Sequence, residues 1–178
     1  MACAQITSGR KLPCNDQVGG YKYIDFAPFD EYGFTVANES LAALPVGLTE
    51  VFRYHVKATT NTLTETATVS QDTGTSEIVG ALGITLTKLD PETQAQVKAM
   101  IYGNAIAFVT DYNGNVMLLG RQNGVSGTTG VKQTGGARSD MSGFTVTLET
   151  RESEYSAFLS PSAKTALLAL ISEEVIEP

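Results

Sequence analysis

Asp111, Asn113 and Asn115 alternate as the first three oxygen ligands of a calcium loop do. That loop also needs a glycine at its sixth position and a bidentate glutamate at its twelfth, where this chain has Val116 and Gln122. The three side chains are therefore expected to serve a hairpin turn. Gly130, Gly135 and Gly136 suggest a phosphate cradle, but no Lys-Ser or Lys-Thr follows them and no helix begins there. A contact loop is the expectation for that stretch. His55, the one histidine, has the chemistry of a general base, yet no nucleophile is nominated to accompany it. It is expected to face solvent or a neighbouring subunit. Cys3 and Cys14 are the only cysteines; with a single histidine they cannot complete a zinc tetrahedron, and no G-x-S-x-G elbow is present. Asp25, Asp30 and Glu31 fall among Tyr23, Phe26, Phe29 and Tyr32, a grouping expected to line a surface or interface. No catalytic residue, no cofactor-binding residue and no metal ligand is nominated, and the chain is expected not to be an enzyme.

Composition points the same way. A chain of 178 residues can bury a substantial core in one domain with extensions. Hydrophobic content of 42% with 17% charged residues excludes a chain disordered throughout. Net charge is -7 with no run of Lys or Arg, which removes the main driving term for gripping a phosphate backbone. No stretch approaches the roughly 18 apolar residues that span a bilayer, and no leader-like segment is read at the start, so a cytoplasmic setting with free thiols is expected. The sequon Asn38-Glu39-Ser40 is then expected to be unused.

The elements that must carry these residues are mostly strands. Residues 1–20 read as an extended arm, 21–160 as one β-rich domain, and 161–178 as a helical extension. Alternation predicts strands over 21–29, 33–37, 51–59 and 60–69, with a connection around Pro45 and a turn at Gln71-Asp72-Thr73-Gly74. A long strand follows over 76–88, with Ile78, Gly80, Leu82, Ile84 and Leu86 on one face. Asp90 then caps a helix that opens on Pro91 and Glu92 and stops at Gly103, with an apolar stripe of Ala95, Val97, Met100 and Ile101. Ala105 to Val109 and Val116 to Leu119 form a hairpin about Asn113-Gly114. Residues 120–143 hold seven glycines and read as a flexible loop. Phe144, Val146 and Leu148 mark a last strand, and 162–174 reads as a short helix with Leu167, Leu168, Leu170 and Ile171. The fold class expected is mainly β with one packed helix, a β-sandwich or half-barrel. Its arm, Thr-rich strands, glycine loop and tail exceed what one compact core uses, so homo-oligomerisation is expected to supply the missing surfaces.

Two stretches carry a family resemblance: YHVKATTNTLTETATVSQDTGTSEIVGALGITLTKLDPETQAQVKAMIYGNAIAFVTDYNGNVMLLGRQNGV and GTTGVKQTGGARSDMSGFTVTLETRESEYSAFLS. Their order of Thr-rich strand, strand, short helix, hairpin, Gly-rich loop and final strand resembles the tail-tube and tail-ring subunits of tailed bacteriophages, over about residues 51–160. The resemblance implies a virion structural protein of tail-tube type, assembled in the host cytoplasm, with no catalytic residues. It implies homo-oligomeric rings, six copies in tubes or twelve in neck adaptors, adjoining other tail or neck proteins. Genomic DNA would be a weakly contacted passenger in the channel, and no membrane partner is implied. Alternatives are a head-to-tail connector ring, or a glycan-binding β module using Tyr21, Tyr23, Tyr102 and Tyr112.

Overall fold

The computed structural model describes residues 6, 8–56 and 61–172. They form a mainly β, α+β body, a curled-sheet half-barrel with two helices. In chain order the elements are β1 (Tyr21–Pro28), β2 (Val36–Ala37), β3 (Ser40–Leu41), β4 (Val51–His55), β5 (Thr62–Ser70), β6 (Thr75–Thr87) and α1 (Pro91–Tyr102). Then come β7 (Ala105–Asp111), β8 (Val116–Leu119), β9 (Ser126–Gln133), β10 (Gly143–Glu152), β11 (Ala157–Leu159), α2 (Pro161–Ala169) and β12 (Ile171–Ser172). An eight-stranded sheet has the order β12-β4-β1-β7-β8-β11-β3-β2, and a four-stranded sheet the order β5-β6-β10-β9.

The eight-stranded sheet is buried on both faces. Ile24, Phe26, Ala107, Val109 and Leu119 point one way, into a core shared with Leu82, Ile84, Val146 and Leu148 of the smaller sheet. Ala27, Ile106, Phe108 and Leu118 point the other way, against Leu41, Leu48, Ala163 and Leu167. A strand covered on both sides needs apolar residues at every position, which is why β7 reads Ala-Ile-Ala-Phe-Val without a polar alternate. α2 belongs to this second core through Ala163 and Leu167, and β12 runs parallel to β4, with Val51 N–H donating to Leu170 O at 3.1 Å.

α1 begins and ends as its sequence dictates. Asp90 Oδ1 accepts from Thr93 N–H at 2.6 Å, Pro91 opens the first turn, and Gly103 N–H returns to Ala99 O at 2.8 Å. The helix lies over β9 and β10, on the same side of the smaller sheet as the larger one. Val97 is its buried residue, with Met100 and Ile101 packed beside it; Ala95 is exposed, so the stripe is narrower than the sequence suggested.

Three further expectations need correction. Residues 120–143 are not a loop throughout, because β9 runs through their middle, held by β10 on one side and α1 above. The glycines make this contact possible: a Cβ at Gly127 would lie 2.5 Å from Ile101 Cα. The strand expected over 33–37 shrinks to Val36–Ala37, which turns through Asn38 and Glu39, both at positive φ, into β3. The helix expected over 162–174 ends at Ala169, with Leu168 58% exposed, and the chain returns to extended backbone at Ile171–Ser172. The end of that expected helix, and residues 57–59 of the strand expected over 51–59, lie outside the described residues.

Candidate assembly surface

Register gives the four-stranded sheet two faces of opposite character. Leu82 pairs with Leu63 on one side and Leu148 on the other, and this row enters the core. The next row places Ala81 between Thr64 and Glu149, and Gly83 between Thr62 and Thr147. Every second residue therefore builds an outer face of Thr, Ala, Gly and Val that no described element covers. Its charges are Glu77, Glu149 and Arg151. Arg151 Nη1 donates to Glu77 Oε1 at 2.8 Å, so two acids against one base leave a net charge of -1, carried by Glu149.

Among the described residues the sheet is also open at both sides. β5 and β9 each have one partner, and neither carries a proline. Natural edges are usually blunted by proline, by charge or by a bulge. The one charge on β5, Glu65, turns inward to accept from Ser156 N–H at 2.9 Å and Ser156 Oγ–H at 2.7 Å. Lys132 on β9 is also drawn under the sheet, donating to Gln94 Oε1 of α1 at 2.7 Å and lying over the Phe144 ring. A bulge near Thr128 breaks register at one end of β9 and leaves the rest straight. Nine residues of β5 and eight of β9 form two edges of matched length on opposite sides of one sheet.

The residues that first suggested chemistry do not converge. Asp25 is fully buried, and both its oxygens accept from Arg53, Nε and Nη2, at 2.7 Å. Arg53 lies over the Tyr23 ring, whose edge meets His55 at 4.8 Å between centroids. His55 is thus exposed beside an aromatic ring. Asp30 and Glu31 sit apart from Asp25 on an exposed loop. Arg53 was legible only as one member of an alternation; its register opposite Asp25 is what assigns its role.

Asp111 accepts from Asn115 N–H at 2.6 Å and from the side-chain amides of Asn115 and Asn113. Burial pushes its carboxyl up, but these bonds together hold it below the ordinary carboxylate range. The three residues close a turn, as their spacing implied. Asp140 Oδ2 accepts from Gly136 N–H at 2.9 Å and Ala137 N–H at 2.7 Å, so the amides a phosphate would need are already taken. Cys14 is exposed, and Cys3 lies outside the described residues. Among the described residues no three His, Cys, Asp or Glu side chains are placed to share a metal ion, and no helix is long and apolar enough to cross a membrane. Of the four tyrosines considered for glycan stacking, Tyr21 is buried, its hydroxyl donating to Gly83 O at 2.5 Å, and burial pushes its phenol up. Tyr102 and Tyr112 are exposed on separate elements.

What the geometry offers is a bare, weakly charged sheet with two open edges. Compared with known proteins, the chain matches no family model, no curated protein and no solved structure.

Proposed function

We propose that this chain is a structural subunit of a bacteriophage tail, which assembles with copies of itself into a ring or tube whose channel passes DNA. The observation that carries the reading is the pair of matched open edges on the bare four-stranded sheet. All neighbours in that sheet are antiparallel, so β5 runs with β10 and β6 runs with β9. Under rotation about an axis along the strands, β9 of one copy meets β5 of the next antiparallel, and the alternation continues across the joint. Such head-to-tail joints close into a ring when the rotation closes. The inner wall would then be hydroxylated and weakly negative, a lining whose one cation, Arg151, is already paired with Glu77 and so offers a polyanion little hold. In this reading the chain is no enzyme, and it resides in the virion tail.

Electron microscopy of the purified protein, with native mass spectrometry, tests the reading. Rings or tubes are expected, with six copies for a tube and twelve for a neck adaptor. A protein that stays monomeric at high concentration and enters no particle would refute it.

A further inference from the structure

The N-terminal arm leaves the body at one fixed point. Val18 N–H donates to Asn113 Oδ1 at 3.0 Å, and Asn113 Nδ2 donates to Val18 O at 2.9 Å, so one side-chain amide imitates a neighbouring strand. Beyond this clasp every described arm residue is exposed, Leu12 at 96%. Burying a side chain of that size is worth about 1.5–3 kcal/mol. Arg10 and Lys11 stand next to Leu12, whereas the whole chain carries -7.

A second feature matches the arm. Residues 31–36 with Arg121 and Gln122 line an open groove of about 610 Å³. Its lining is more polar than apolar; Tyr32, Phe34 and Val36, packed against the second core, leave part of their surface exposed there, near exposed Asp30 and Glu31. Arg121 is bound to Glu154 at 2.6 Å, so its charge is already matched. β2 ends the eight-stranded sheet and pairs only with β3, leaving its far side open among the described residues.

We infer that the arm of one copy seats in this groove of a second copy, as an extended segment along β2. Leu12 covers Tyr32, Phe34 and Val36, and Arg10 with Lys11 face Asp30 and Glu31. The eight steps from Val18 to Arg10 reach about 26–29 Å when extended, enough to cross to a touching neighbour. The inference goes beyond the tail reading and does not rest on it.

Disulfide trapping tests it. Full-length chains carrying Cys3→Ser and Thr35→Cys are mixed as isotopically light and heavy protein, oxidised gently, and digested for mass spectrometry. A disulfide between Cys14 and position 35 is expected in mixed-isotope pairs. Adding Arg10→Glu and Lys11→Glu is expected to lower its yield several-fold at low salt, and Asp30→Lys with Glu31→Lys to restore it. No link, links confined to single-isotope pairs, or a yield indifferent to charge reversal would overturn the inference. Rings are scored separately by microscopy: rings without links sink the arm proposal alone, and links without rings sink the tail reading alone.

Discussion

Arg53→Met isolates the contribution of the ion pair inside the eight-stranded sheet. Asp25 has no exposed surface and both its oxygens are bound by Arg53, so the variant leaves a carboxylate in the core without a counter-charge. Breaking such a pair costs about 3–5 kcal/mol. A destabilisation of that size is equivalent to roughly 6–20 °C in Tm for a chain of this length. Urea unfolding followed by circular dichroism would measure it. Asp25→Asn in the Arg53→Met background should recover at least about 1 kcal/mol by removing the stranded charge. A single-variant loss below about 1 kcal/mol, or no recovery in the double variant, would refute the reasoning.

Other outcomes are as specific. Gly127→Val should cost about 1–3 kcal/mol by pushing Ile101 and α1 off β9, read as lost helical signal and a lower Tm. Leu82→Ala, in the shared core, should cost about 2–5 kcal/mol in chemical denaturation. Asp90 and Asp140 are held below the ordinary carboxylate range by hydrogen bonds, Asp90 from Thr93 and Asp140 from Ala137 and Gly136. Their contribution is complete above about pH 4 and fades as pH falls through the depressed folded value, so the Tm gap between wild type and Asp90→Ala should close on acidification. Thr66→Lys with Thr129→Lys places like charges on the two open edges and should abolish rings in native mass spectrometry, while Thr66→Lys with Thr129→Glu should retain them.

The sequence carried the local parts of this fold well. Asp90, Pro91 and Gly103 bound α1, and Asn113-Gly114 turns β7 into β8, because caps and tight turns are decided by residues a few positions apart. It carried β9 poorly. Ser-Gly-Thr-Thr-Gly-Val-Lys-Gln has no apolar alternation, since two of its inner positions, Gly127 and Gly130, are glycines that admit Ile101 and a third, Lys132, reaches Gln94 of α1. β11 and β12 are too short for a period to register, and both depend on partners more than a hundred residues away. The bare face was visible as a run of alternating threonines in β5, but its extent over four strands needed the register.

The doubly covered sheet also fixes an order of events during synthesis. β5 with β6, β7 with β8 and β9 with β10 are hairpins that can zip as soon as they emerge, and β1 can pair early with β4 and β2 with β3, whereas β1 gains its second neighbour only with β7, β3 only with β11 and β4 only with β12. The β5–β6 hairpin can thus form while β7 and β8, which help to cover its apolar face, are still in the ribosome. For that interval its apolar face and both its edges stand open together, the condition in which nascent chains join the wrong partner. Slow closure of the long-range sheet, rather than weakness of the finished body, is then the step at which misassembly is expected.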